Sequence, residues 1–292
     1  MRFTEIGQQL RAYRLESGLR AEEIAARLGV SRAALYRYEK GEVIKLDTVN
    51  RLAELLKISP LSLLGIGVEY YNRPIGFFER LRQVEETADQ ILQVSLPLAY
   101  LISSDELDAV ETEIFYEAAA EAGAERTALR ALADQVQGIL QERKRMYRMR
   151  RPAIIAMLST GALTRFLQQG VGQGMVRSEA IRYRARAVAR TEVENVANLM
   201  EAEPMGLQFG LLSAGEPSGQ FMILRARDRA TLAINAFRSD CIPHYQNGVA
   251  MITGADEAVA AHQRVAEAMW RDSIKGPTAA ARVRDLLVAN PL

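Results

Sequence analysis

The sequence predicts a mainly α protein with a smaller α+β part. Three observations carry that reading. Residues 1–65 break into five short segments, each with apolar residues at helical spacing and its own start or stop signals. Apolar periodicity of the helical kind continues to about residue 201. Beyond residue 205 it gives way to short apolar or alternating runs separated by Gly, Pro, Asp and Asn turns.

The bulk composition narrows the classes. A chain of 292 residues is comfortable for two domains. Hydrophobic residues make up 49% and charged residues 25%, as in a folded globular protein. Lys and Arg number 37 against 36 Asp and Glu, a net charge of +1. Global charge therefore says nothing about a polyanionic partner, and any basic surface has to be local. Cys241 is the single cysteine, which excludes an intrachain disulfide. The opening "MRFTEIGQQLRAYRLESG" is too charged for a secretory signal. No apolar run reaches the ~18–20 residues of a membrane helix, and "AIIAMLSTGALTRFL" is interrupted by Arg165. A cytoplasmic protein with no membrane partner is expected.

The first segment, about Thr4 to Glu16, turns Ile6, Leu10, Tyr13 and Leu15 inward, and Gly18 can end it. The second, about Ala21 to Leu28, buries Ile24, Ala25 and Leu28. Gly29 makes a turn, Val30 anchors it, and Ser31 caps a third helix whose inner side carries Leu35 and Tyr38. The fourth, about Thr48 to Leu56, turns Val49, Leu52, Leu55 and Leu56 inward. The fifth, "SPLSLLG", is brief, with Pro60 in its first turn. Gly65, Gly67, Pro74 and Gly76 then break the periodicity, placing a linker at 67–75 between domains 1–66 and 76–292. "FFERLRQVEETADQILQVSLPLAYL" reads as one amphipathic helix, and its 76–95 stretch is the candidate dimer helix. Helices are expected at 105–122, 125–148, 153–168 and 178–201. "MGLQFGLLS", "QFMILRA", "TLAINAF" and "GVAMITG" read as four strands at about 205–253, antiparallel because their connections are too short for crossovers. Two helices close the chain.

The stretch "LGVSRAALYRYEKG", residues 28–41, carries the functional signal. Two short helices that cross closely need a small residue at the crossing, a left-handed turn, an apolar anchor, a cap and an apolar inner face. Ala25, Gly29, Val30, Ser31 and Leu35 supply these in register. Residues from about Ile6 to Leu64, and "GLRAEEIAARLGVSRAALYRYEKG" above all, resemble the Xre/Cro-type helix-turn-helix family of transcription regulators. The resemblance implies a five-helix, lambda-repressor-like DNA-binding domain. It places Ser31, Arg32, Ala33, Tyr36 and Arg37 near DNA on the recognition helix, and Lys40 at a backbone-contacting position just past it. Arg32 and Arg37 would contact guanine or phosphate, and Tyr36 a thymine methyl or sugar. Arg20 and Ala21 align with the start of the helix before the turn, where family members often carry a glutamine. Arg14 and Glu39 match a family ion pair that ties the first helix to the end of the recognition helix. Local charge agrees, with 11 Lys+Arg against 8 Asp+Glu in residues 1–65.

Other constellations are weaker. "RKRMYRMRRP", from Arg143 to Arg151, reads as a solvated helix end or as a second phosphate-contacting surface. Arg182, Arg186 and Arg190 form one stripe of a helix, read as surface or as an acidic-effector site. "QGVGQGM", with Gly170, Gly172 and Gly174, follows a helix rather than a strand and reads as a connector. Cys241 and His244 in "CIPH" are too few for a structural zinc, and His262 lies on a predicted helix. No catalytic cluster, cofactor motif or metal set is apparent. The expectation is a regulator that binds double-stranded DNA as a homodimer, with a small-molecule effector sensed by the second domain. An enzyme or a protein-binding adaptor with a regulatory helix-turn-helix is the alternative.

Overall fold

A computed structural model describes residues 3–94, 97–120, 122–172, 178–213, 219–237 and 248–292. Five helices open the chain: α1 (Phe3–Ser17), α2 (Ala21–Leu28), α3 (Arg32–Glu39), α4 (Leu46–Leu56) and α5 (Pro60–Leu63). Their core is built on the residues the periodicity turns inward, except that Leu15, Tyr38 and Leu55 are only half-buried at its edge. Leu10, Ile24, Leu35, Leu52 and Leu63 are fully buried, with Ile6, Tyr13, Leu28, Val49 and Leu56 beside them.

The rest of the chain is β1 (Val68–Tyr71), α6 (Pro74–Glu85), β2 (Gln90–Val94), α7 (Asp105–Ala120), α8 (Arg126–Arg150), β3 (Ala153–Ser159), α9 (Thr160–Gln169), α10 (Glu179–Ala202), β4 (Leu207–Leu212), β5 (Phe221–Arg225), β6 (Ala230–Ile234), β7 (Ala250–Thr253), α11 (Asp256–Asp272) and α12 (Gly276–Ala289). The seven strands form one sheet in the order β1-β7-β6-β5-β2-β3-β4. β2, β3 and β4 are parallel, and β5, β6, β7 and β1 join them antiparallel. The helix pairs α7–α8 and α9–α10 supply the crossovers that parallel strands require. α11 covers one face, packing Val259 and Ala266 on Leu92, Val94, Met157 and Ile223. The opposite face carries Ile91, Ala156, Leu224 and Ala233 and is continuous with the core of α6, α10 and α12.

The fold class is as expected, a mainly α chain with an α+β part, but the sheet is larger and mixed. The four expected strands are β4 to β7, and β4 pairs parallel to β3 rather than antiparallel. Three strands lie where none was expected. β1 occupies the segment 67–75 read as a linker. The single helix read over 76–95 ends at Glu85, and its second half is β2. β3 takes the first half of the helix read at 153–168. The dimer role assigned to 76–95 is corrected accordingly: α6 buries Ile75, Phe77, Phe78, Leu81 and Val84, and even Glu79 and Glu85, inside this chain.

The two parts share a polar and aromatic seam between α1 and the β1–α6 segment. Glu69, on β1 and 5% exposed, accepts from Gln9 Nε2 at 2.9 Å, Tyr71 OH at 2.7 Å, and Arg80 Nε and Nη2 at 2.9 and 3.0 Å. The Tyr13 ring stacks on Tyr71 with centroids 5.4 Å apart. Glu16 accepts from the backbone N–H groups of Asn72 and Arg73 at 2.6 and 3.0 Å, closing the entry to α6. Arg11 pairs with buried Glu79 at 3.0 Å, and Arg229 in the β5–β6 turn pairs with Glu5 at 2.9 Å. Two glycines permit the approach of the backbones. A Cβ on Gly76 would lie 2.7 Å from Glu16 Cβ, and one on Gly7 would lie 2.5 Å from the Tyr38 carbonyl of α3. α1 is thus held between α3 on one side and α6 on the other.

Leu35→Ala should cost about 2–5 kcal/mol of stability by opening a cavity in the five-helix core, and a chemical denaturation curve checks it. Glu69→Ala should cost about 3–5 kcal/mol, because it leaves the Arg80 guanidinium buried without its carboxylate. The same denaturation measurement on the full chain reads that loss.

Candidate nucleic-acid interface

The interface is built on α2 and α3. Ala25, 3% exposed, is the small residue at their crossing. Gly29 takes φ 71°, and the Val30 N–H donates to the Ala25 carbonyl at 3.0 Å. The Ser31 hydroxyl accepts from the Ala34 N–H at 3.1 Å, satisfying a free donor of the first turn. With Ala34 and Leu35 turned inward, helical geometry leaves Arg32, Ala33 and Arg37 on the outer face, and Lys40 is exposed just beyond it.

The two arginine side chains are each 59% exposed. Arg32 pairs with Glu22 at 2.8 Å, donates to Tyr36 OH at 3.2 Å and lies over the Tyr36 ring at 5.3 Å. Arg37 pairs with Glu42 at 3.1 Å. Ion pairs in solvent are worth little, so these carboxylates orient the guanidinium groups without consuming them. A phosphate or a guanine edge offers these guanidinium groups a bidentate match.

What fixes the helix is the pair behind it. Arg14 Nε and Nη2 meet the two Glu39 carboxylate oxygens at 2.5 and 3.1 Å, with the side chains 14% and 5% exposed. Burial pulls the Arg14 pKa down, and the hydrogen bond and charge of Glu39 more than restore it, leaving it raised. Arg14 also lies 5.9 Å from the centroid of the Tyr36 ring, so this half-buried ring is close to both guanidinium groups.

Arg20 is exposed at the cap position of α2, where its backbone N–H donates to the Glu23 carboxylate at 2.8 Å. Ala21 departs from the expectation. It is 5% exposed, because the helix phase that buries Ile24 and Leu28 also buries the residue one turn earlier. Its methyl group packs in the core and is not presented to a duplex.

The weaker constellations resolve into structure. In the basic stretch, Arg143 makes a bidentate pair with Glu85 at 2.7 and 2.8 Å, and Lys144 meets Asp108 at 2.8 Å, all four buried. Arg145 and Arg148 pair on the surface with Glu142 and Asp105. In the α10 stripe, Arg186 donates to the Pro291 carbonyl at 2.8 Å and Arg190 to the Leu287 and Asn290 carbonyls at 2.9 and 3.0 Å, closing the end of α12. Gly170 and Gly172 take positive φ where α10 and Ile114 pass close. Gly174, Cys241 and His244 lie outside the described residues. His262 Nδ1 lies 2.9 Å from the Ala258 carbonyl, and its ring packs edge-on against Phe221. Among the described residues no group of three or more His, Cys, Asp and Glu is placed to hold a metal ion.

A feature that sequence reasoning missed is a cavity of about 510 Å³ at the carboxyl end of β2, bounded also by the start of β5 and the end of β6. Its wall includes Phe78 of α6, Glu111 of α7, Arg165 of α9 and Phe237 after β6. Gln93 stands at its floor in the middle of the sheet, between Ala156 on β3 and Met222 on β5. The isolated glutamines of "QILQV" were the available signal, masked by the helical reading of that stretch.

Arg14→Ala should lower the stability of the five-helix part by about 1.5–3 kcal/mol, since Glu39 loses a charge-assisted bidentate partner. It should also weaken any DNA complex without itself touching DNA, and thermal melting alongside a duplex titration separates the two effects.

No helix among the described residues is long and apolar enough to cross a membrane. No curated protein and no solved structure matches the chain. Residues 5–63 match the family model of the helix-turn-helix domain, consistent with the Xre-type reading of this part.

Proposed function

We propose that this chain is a sequence-specific transcription regulator that binds double-stranded DNA as a homodimer in the cytoplasm and is controlled by a small molecule sensed in the sheet domain. The reading rests first on the recognition helix. A helix-turn-helix domain matches residues 5–63, and its outer face carries Arg32, Arg37 and Lys40 in solvent. Arg37 reads a base edge, Arg32 and Lys40 meet base or backbone, and Arg20 meets the backbone from the start of α2. Ser31 and Ala33 lie close enough to the groove floor to be read with them. One recognition helix covers one half-site, so two copies on half-sites about 34 Å apart supply affinity and specificity. We assign the chain no catalytic step.

Sensing is supported by a continuous set of aromatic contacts between the cavity and α1. Phe237 in the cavity wall packs on Phe77 at 5.8 Å and on Phe78 at 6.4 Å. Phe77 meets Tyr71 at 6.2 Å, and Tyr71 stacks on Tyr13 of α1. α1 in turn holds α3 through Arg14 and Glu39. An effector that binds one arrangement of this series more tightly shifts the dimer toward or away from its DNA-competent geometry.

Selection of genomic fragments by the purified protein, followed by footprinting, tests the reading. A symmetric footprint with two half-sites supports it, and the absence of any preferred fragment contradicts it. On the selected site Arg37→Ala should cost about 1–3 kcal/mol and relax preference at one base position. Raising salt should weaken the parent complex steeply, as expected when cations are displaced from phosphates. Salt-independent binding would favour a protein partner instead.

A further inference from the structure

We infer that the cavity at the carboxyl end of β2 is a binding site for a lipophilic amine, an apolar small molecule carrying a protonated nitrogen that pairs with Glu111. The inference deepens the sensing reading and rests on it only for the consequence at DNA.

The charges around the cavity lead to this class. Arg143 is committed to Glu85 through two hydrogen bonds, and Lys144 to Asp108 and the Ser104 carbonyl. Tyr100 OH also donates to Asp108, at 3.0 Å. Arg165 stands exposed on the rim and is itself engaged. Glu111 is the exception. Its carboxylate receives one long hydrogen bond, from Gln137 Nε2 at 3.5 Å, and forms no ion pair among the described residues. A carboxylate in a wall of mixed polar and apolar side chains, with no ion-pair partner of its own, is the complement of a ligand that brings a cation.

A second, independent observation points to a ligand there. Gln93 is 3% exposed, lines the same cavity, and its Nε2 has no hydrogen-bond partner. A buried amide donor left unpaired on a central strand is costly, and a ligand oxygen would satisfy it. The aromatic rings of Phe78, Phe166 and Phe237 supply the apolar contact for the body of the molecule. Burial, with Asp108 nearby, holds the Glu111 carboxyl up to about 7, against the opposing pull of the Gln137 hydrogen bond and of the Lys144 charge, which is itself paired with Asp108.

The test uses the full chain and three probes of one shape: 4-phenylbutylamine, 4-phenyl-1-butanol and 4-phenylbutyrate, each titrated by calorimetry at pH 8. The amine should bind at least tenfold more tightly than the alcohol, and the acid least. Glu111→Gln should remove the preference for the amine while changing alcohol affinity by less than twofold. Procaine, an aromatic amine with an ester carbonyl, should bind Gln93→Leu several-fold more weakly than the parent. A stability readout guards against misfolding. The folded-state carboxyl is raised, so the folded chain loses stability as pH climbs from about 4.5 to 7 and Glu111 ionises. Glu111→Gln should therefore melt no lower than the parent at pH 5 and higher at pH 8. Tighter binding of the acid, binding of none of the probes, an unchanged amine affinity in Glu111→Gln, or a lower melting temperature for that variant at pH 8 would each overturn the assignment. If the amine binds as stated but leaves affinity for selected DNA unchanged, the site stands and the sensing reading fails.

Discussion

The Glu69–Arg80 pair is the contact on which the relation between the two halves depends. It is buried, and its carboxylate also receives Gln9 from α1 and Tyr71 from its own strand. Removing charge from water is expensive, so such a hub is stable only with every partner in place. That requirement sets where α1 sits against β1 and α6. The stacked Tyr13 and Tyr71 rings and the Glu16 cap at the start of α6 follow from the same docking. The recognition helix is then fixed at second hand, through Arg14 and Glu39 on the far side of α1. Through α1, the Gln9 hydrogen bond to the Glu69–Arg80 pair and the Arg14–Glu39 pair thus connect the sheet to the surface that carries Arg32 and Arg37.

This arrangement explains why the first domain is not a freely tethered module. The segment after α5 leaves no slack, because Val68–Tyr71 pairs at once with β7 as an edge strand. α6 then carries Phe77 and Phe78 from the seam to the cavity wall. A change in the cavity has a packed path to α1, and packed interiors rearrange between discrete states rather than stretching. The coupling is a proposal about populations, and its size is set by the difference in ligand affinity between them.

The first 64 residues were legible because each feature is local. Gly29, Val30, Ser31 and Leu35 specify the turn, its anchor, the cap and the inner face within seven residues, and the helices have single-sided apolar patterns. The Arg14–Glu39 pair was legible only through the family resemblance, since nothing in the spacing of the two residues implies contact. The sheet was read less well for a physical reason. β2 and β3 are central parallel strands, and their runs "QILQV" and "AIIAMLS" are nearly continuous in apolar residues. Such runs lack the alternation that separates strand from helix. Next to strongly helical neighbours they read as extensions of helices. β1 was hidden by its own glycines, which signal a junction but not the strand between them. The basic stretch at 143–151 illustrates the same limit: Arg143 and Lys144 look solvent-facing by composition, yet Glu85 and Asp108, both distant in sequence, bury them.

The most direct measurement is amide hydrogen exchange on the full chain, with and without a DNA fragment recovered by selection. The account predicts new protection over residues 20–23 and 31–42, with α1 and α6 as protected in the complex as in the free protein. Loss of protection along the α1–α6 seam on binding, or new protection confined to the sheet domain, would contradict it.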